Sequence, residues 1–194
     1  MKQITYEQIV HQVAALCQAA NYDLGEDVVQ AFKKALKTEV SETGKDVLNQ
    51  LILNADIAAR ERVPMCQDTG MAVFIVELGQ ECQIVGGSLY DAIHDGVRKG
   101  YGEGYLRHSM VNDPLLRKNT GDNTPAIVHI ELVPGNQLKI KMTAKGGGSE
   151  NMSRLKMLKP SDGIEGIKRF ILDTVRLAGP NACPPLVVGV GIGG

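Results

Sequence analysis

Apolar residues return every three or four positions through the first third of the chain. Ile9, Val13, Leu16, Cys17 and Ala20 fall on one helical face, behind Thr5-Tyr-Glu-Gln8, whose threonine and glutamine are spaced as a capping box. The same rhythm predicts a second helix from Asp23 to about Lys37, burying Val28, Val29, Phe32 and Leu36. A third helix covers roughly Lys45 to Arg62, with Leu48, Leu51, Ile52 and Ala55 on one face, and Pro64 disfavours helix at Val63.

After Gly70 the period changes. Ala72 to Leu78 is β-branched and apolar, the pattern of a buried strand. Ser88 to Gly102 returns to helical spacing, and a long polar loop runs from Gly104 to Thr124. Two alternating segments, Ala126 to Val133 and Leu138 to Met142, flank Pro134-Gly-Asn-Gln137 and predict a hairpin with His129, Glu131, Lys139 and Lys141 on its wetter face. A glycine-dense joint, Lys145-Gly-Gly-Gly-Ser-Glu-Asn151, follows. Asp162-Gly-Ile-Glu165 can cap a helix striped by Ile164, Ile167, Ile171, Val175 and Ala178 and stopped by Gly179-Pro180. Leu186 to Val190 then reads as a strand. The pattern is that of an α+β fold: a helical lobe over about residues 1–63, then a mixed or antiparallel sheet with covering helices over about 64–194. An apolar strand is normally followed by residues that cap or cover it, so the polypeptide is expected to continue past Gly194.

Composition narrows the classes. A chain of 194 residues, 43% hydrophobic, can bury a core without disulfide staples. Twenty-one basic and 22 acidic residues nearly cancel, and there is no tryptophan, so neither a basic nucleic-acid surface nor a base-stacking platform is expected. No apolar run reaches the ~18 residues of a membrane span, and the first 30 residues lack the apolar core of a signal peptide. Four irregularly spaced cysteines do not form a disulfide framework, which fits a reducing cytoplasm.

Two of those cysteines stand apart. Cys17 lies on an apolar helical face as a small hydrophobe, and Cys82 follows Gly79-Gln-Glu in a polar turn. Cys66 and Cys183 instead sit in joints, beside Pro64 and Pro184-Pro185, with the carboxamides of Gln67 and Asn181 within two residues. Prolines stiffen the approach of a thiolate, and amides can hydrogen-bond its sulfur. No CxxC pair links them, so spacing leaves structural thiols and a shared metal or cluster both open. The glycines at 146–148 read either as a hinge or as backbone N–H groups open to an anion, with Lys145 and Ser149 as added donors. Arg107-His-Ser109 offers a guanidinium for a carboxylate or a solvated surface arginine. The tail Gly189-Val-Gly-Ile-Gly-Gly194 satisfies GxGxxG without a helix after it, and a dinucleotide site is discounted. No histidine pairs with a serine or cysteine at a spacing that supports a hydrolase triad.

Five ordered blocks resemble one family. Pro64-Met-Cys-Gln-Asp-Thr-Gly70, Arg107-His-Ser109, Asn119-Thr-Gly-Asp-Asn-Thr-Pro125, Lys145-Gly-Gly-Gly-Ser-Glu-Asn151 and Gly179-Pro-Asn-Ala-Cys-Pro-Pro185 are similar to blocks of the class I, iron–sulfur fumarate hydratases, and the chain looks like the N-terminal part of their α subunit. L-tartrate dehydratase shares the two cysteine blocks. The resemblance implies reversible dehydration of (S)-malate to fumarate, as in the tricarboxylic acid cycle. It implies a 4Fe–4S cluster with Cys66 and Cys183 as two of three thiolate ligands, the third lying beyond residue 194. Substrate contacts carry over to Gln67, Asp68, Arg107, Gly148 and Asn151. The base that removes the proton belongs to the family's β part, so no catalytic base is assigned to this chain. A β subunit or domain, and a dimer of α–β units, are the implied partners. The alternatives are a tartrate or other hydroxy-diacid dehydratase subunit, and a non-catalytic thiol- or metal-bearing scaffold.

Overall fold

Thr5 opens the first long helix through the capping box its spacing predicts: its hydroxyl accepts from the Gln8 N–H at 3.2 Å, and Gln8 Oε1 accepts from the Thr5 N–H at 2.9 Å. The computed structural model describes residues 2–183 and 185–193. They contain strand β1 (Lys2–Thr5), helices α1 (Tyr6–Tyr22), α2 (Glu26–Thr38) and α3 (Glu42–Glu61), strands β2 (Met71–Gly79) and β3 (Cys82–Val85), helix α4 (Leu89–Glu103), strands β4 (Ile127–Val133) and β5 (Leu138–Lys145), and helices α5 (Gly147–Glu150) and α6 (Gly163–Ala178). The α+β class holds, with the helices concentrated before residue 104. The described residues fall into two compact units that divide between Ala144 and Lys145.

In the first unit α1 lies against α4, and Ile9, Val13, Cys17, Phe74, Val76, Ile93, Val97 and Tyr101 make one core. The helices approach closely because α4 carries Gly96 and Gly100 at the crossing. A Cβ on Gly100 would stand 2.7 Å from the Ala14 carbonyl oxygen, and one on Gly96 would meet Val13 Cβ at 2.5 Å. Buried Cys17 is the small hydrophobe its position implies, and burial pushes its thiol pKa up to about 12. Helix α2 differs from expectation: its apolar stripe is only half-buried.

The sheet corrects the predicted hairpin. Its order is β4-β2-β5, so β2 lies between the two segments, and it pairs with β4 in parallel from Val73–Ile127 to Gly79–Val133. The Pro134–Gln137 turn wraps the end of β2, taking the N–H groups of Gly79, Gln80 and Glu81 on the carbonyls of Gln137, Val133 and Gly135, each at 2.9 Å. A Cβ on Gly79 would run into the Gly135 carbonyl. Alternation and a short turn establish that two strands are neighbours in sequence, not that nothing lies between them. Inserting β2 gives both of its edges a hydrogen-bonding partner. Its burial alternates, Ala72, Phe74 and Val76 inward and Ile75 half exposed, instead of being complete. A second, parallel pairing of β1 with β3 places Cys82 in a strand and not in a polar turn.

In the second unit the carboxylate of Asp162 accepts from the Lys159 N–H at 2.8 Å, closing a 3-10 turn at Pro160–Asp162. It makes no side-chain bond to α6, so the predicted cap faces backwards. Ile164, placed on the stripe by its spacing, is exposed. Residues 186–190 form no strand among the described residues; a strand needs a ladder partner, and none lies beside them there. Gly100→Ala is expected to destabilise the chain by about 1–3 kcal/mol, because the helix backbones must separate to admit a methyl. A shift of the urea midpoint reads this directly.

Candidate active site

The turn from α3 to β2 is irregular backbone held by side chains. Arg62, the residue that caps α3, is left-handed (φ 55°), bonds Asp23 at 2.6 Å and lies over the Tyr22 ring. The Met65 carbonyl accepts from Asn54 Nδ2 at 2.8 Å, and the Met65 N–H donates to the Asn21 carbonyl at 3.0 Å. Asp68 Oδ1 accepts from the Gly70 N–H at 3.1 Å, an Asx turn that reverses the chain where Gly70 has φ 63°. Between these anchors Cys66 and Gln67 are exposed, with the Cys66 sulfur 3.4 Å from Gln67 Oε1, while Asp68 is half-buried.

A second loop meets this turn. Buried Thr69 donates its hydroxyl to the Arg107 carbonyl at 3.0 Å. Tyr101, fully buried at the end of α4, donates to the carbonyls of Thr69 (2.9 Å) and Gly70 (3.3 Å). Asn123, also fully buried, accepts from the N–H groups of Ser109 (2.7 Å) and Met110 (3.2 Å) and donates to the Gly70 carbonyl at 3.1 Å. The first unit therefore brings the turn bearing Cys66, Gln67 and Asp68 together with the loop bearing exposed Arg107. Thr69, Tyr101 and Asn123 were not singled out from sequence. The cue was present in Asn119–Pro125, whose dense amide, hydroxyl and glycine content marks a loop that bonds through its side chains.

That loop is anchored by charge. Arg98 binds Asp95 through Nη1 at 2.6 Å and Asp122 through Nε at 2.8 Å. Desolvation opposes ionisation of Asp122, but its bonds from Arg98 and from the Thr124 hydroxyl and N–H prevail, holding the carboxyl well below its usual 3.8. The Tyr6 hydroxyl, ahead of Arg98, holds Asp95 low in the same way. Both folded pKa values lie below the unfolded ones, so the stabilisation is complete above the unfolded value and is lost as pH falls through and below about 4. The urea midpoint is expected to drop between about pH 5 and pH 3, and Arg98→Leu to flatten part of that drop. Identical slopes in the two proteins would count against the anchor.

The second unit holds three more of the predicted residues, Gly148, Asn151 and Cys183. Lys145 binds Ser149 at 3.0 Å and Glu150 at 2.9 Å, turning the expected glycine hinge into the single helical turn α5. The Asn151 N–H closes that turn on the Gly147 carbonyl at 3.0 Å. Cys183 is exposed and left-handed (φ 57°), a conformation that costs a non-glycine residue about 1 kcal/mol or more and that gathers at functional positions. A Cβ on Gly148 would stand 3.2 Å from the Cys183 sulfur, so glycine keeps a hollow beside the thiol. Pro184, read as a rigid flank of Cys183, lies outside the described residues, as does Gly194.

A cluster held by thiolates needs free, accessible sulfurs with room beside them. Cys66 and Cys183 are free and exposed, and the Gly148 hollow borders the second, so both fit as ligands. Among the described residues no group of three or more His, Cys, Asp or Glu side chains is placed to hold a metal ion. A groove of about 720 Å³ in the second unit is lined mostly by apolar side chains, including Leu155, Ile167, Phe170 and Leu186; Ser149 borders it, but Gly148, Asn151 and Cys183 do not. Gly148→Ala is expected to slow alkylation of Cys183 about threefold or more while leaving Cys66 unchanged, by crowding the attacked sulfur. Mass spectrometry of each cysteine peptide reads both rates.

Comparison with known proteins places the chain in a family. The family model described as Fumarate hydratase (Fumerase) matches residues 10–194. The chain belongs to that family, a family of hydro-lyases. It is 44% identical over 191 residues to the putative L(+)-tartrate dehydratase subunit alpha of Methanocaldococcus jannaschii, covering 94% of this chain and 66% of that protein. It is 31% identical over 195 residues to the L(+)-tartrate dehydratase subunit alpha of Escherichia coli K12, covering 98% of this chain and 64% of that protein. The chain thus spans a little under two thirds of the length of these relatives. No helix among the described residues is long and apolar enough to cross a membrane.

Proposed function

We propose that the chain is the N-terminal part of the α subunit of an iron–sulfur hydro-lyase that dehydrates a hydroxy dicarboxylic acid, (S)-malate to fumarate in the first instance. The observation that carries the reading is the bond from Thr69 to the Arg107 carbonyl, which sets a cationic loop beside the Cys66–Gln67–Asp68 turn in a member of the fumarate hydratase family. Cys66 and Cys183 are the thiolates that would hold a 4Fe–4S cluster, with a third cysteine from a further α segment. When bound, the cluster supplies a Lewis-acidic iron that makes hydroxide a feasible leaving group. Four free cysteines accord with a reducing cytoplasm.

The chain's own residues bind and orient. The Arg107 guanidinium offers a planar pair of donors to one substrate carboxylate. Gln67, exposed beside Cys66, presents an amide to a substrate oxygen, and half-buried Asp68 is held in place by its bond from Gly70. Gly148, lacking a side chain, lets backbone approach the second carboxylate closely, and Asn151 adds an amide at the end of the same turn. The base that takes the carbon-bound proton is assigned to a β partner, in a dimer of α–β units. Tartrate is the second substrate reading, and the names of the α-subunit relatives fit it equally well.

The test is anaerobic reconstitution of a complete α–β enzyme, assayed with malate, fumarate and tartrate. Cys66→Ser and Cys183→Ser are each expected to lower kcat by about a thousandfold or more, with loss of iron and sulfide. Arg107→Lys is expected to raise KM about tenfold or more with a smaller change in kcat, since a point charge replaces a two-point clamp. Full activity in Cys66→Ser overturns the assignment. Stoichiometric zinc without sulfide would favour the non-catalytic scaffold.

A further inference from the structure

We propose that Asn123 is a positioning residue that, with Thr69, sets the Arg107 loop in register with the Cys66–Asp68 turn. This rests on reading those two segments as a dicarboxylate site. The Asn123 amide joins them from within: its oxygen takes two successive N–H groups, Ser109 and Met110, and its nitrogen gives to the Gly70 carbonyl. Ser109 lies two residues after Arg107, and Gly70 two residues after Asp68. Between these ties stands the Thr69–Arg107 bond. Gln67, Asp68 and Arg107 are therefore each pinned within two residues, and the pins run directly from one segment to the other.

The chemistry admits few substitutes. A carboxylate of the same length would keep the acceptor, but would turn an oxygen towards the Gly70 carbonyl where a donor is needed. Asn123 is also left-handed (φ 59°), a conformation that asparagine adopts more readily than most residues. Its sequence neighbours are fixed on both sides, because Asp122 and Thr124 each bond Arg98. With Asn123 fully buried, water cannot replace a lost bond, so breaking one tie displaces a loop instead of resolvating it. A displaced Arg107 grips ground state and transition state more weakly to the same degree, which raises KM and spares kcat.

The complete α–β enzyme tests this with Asn123→Asp, and Thr69→Val with Thr69→Ser as its conservative rescue. Asn123→Asp and Thr69→Val are expected to raise KM for the dicarboxylic substrate about tenfold with kcat within about threefold, and Thr69→Ser to restore KM. Cluster absorbance per α subunit stays at the wild-type value. Ile84→Ala, a truncation on β3 away from the α1–α4 crossing, serves as a control for lost stability and is expected to leave KM alone. Unchanged KM in both Asn123→Asp and Thr69→Val, or an equal rise in Ile84→Ala, overturns the proposal. Hydrogen exchange gives a readout independent of turnover: in Asn123→Asp, peptides covering residues 68–70 and 107–110 are expected to lose protection together. Loss confined to 107–110 overturns the coupling. Wild-type enzyme inactive on every diacid would refute the substrate reading while exchange still decides the coupling. Should Asn123→Asp fail to fold, the Thr69 pair carries the same test.

Discussion

The hydroxyl of Tyr101 is buried where the core ends, and the carbonyls of Thr69 and Gly70 are what it bonds. Leaving such a group without a partner would cost about 1–3 kcal/mol, so the turn after α3 cannot drift away from the end of α4. The position of α4 is in turn set by its close crossing with α1, which Gly96 and Gly100 permit. Core packing therefore determines where the backbone beneath Cys66, Gln67 and Asp68 sits. The chain of dependence runs from two missing side chains on a helix to the location of a candidate active-site turn.

Above that point the structure is polar and local. Irregular segments have no ladder to satisfy their backbone groups, and buried ones must find partners elsewhere. Here Asn21, Asn54, Thr69, Tyr101 and Asn123 take that role for the loops of the first unit, with Arg98 holding the outermost loop through Asp122. Exposed reactive groups on a hydrogen-bonded support are what a site for a small polar acid requires: the thiol and amide face outward while the frame beneath them is held. Membership of the fumarate hydratase family gives that frame a chemical context in dehydration.

The second unit uses a different device. Its thiol stands in a left-handed residue at the end of a 3-10 turn, closed by the Cys183 N–H on the Pro180 carbonyl at 3.1 Å. Gly148, from the short helical turn, leaves the sulfur uncovered. Backbone strain at the one residue and an absent side chain at the other are both local costs of keeping a sulfur accessible. The apolar groove of this unit lies among other residues and shares no lining with that thiol.

Local signals were legible wherever a few neighbouring residues decide the outcome. The capping box at Thr5, the helical stripes, the strand after Gly70, the buried Cys17 and the joints holding Cys66 and Cys183 all follow from spacing and side-chain type. What spacing could not supply was anything set by a partner distant in the chain. The insertion of β2 between β4 and β5 depends on which edges find hydrogen bonds, the division after Ala144 on which helices pack, and the role of Asn123 on carbonyls and amides that folding alone brings within 3.2 Å. Local propensity is a property of a few consecutive residues. Pairing and burial belong to the whole chain, so the sequence by itself determined the elements and the candidate chemistry, and the tertiary structure decided which of them meet.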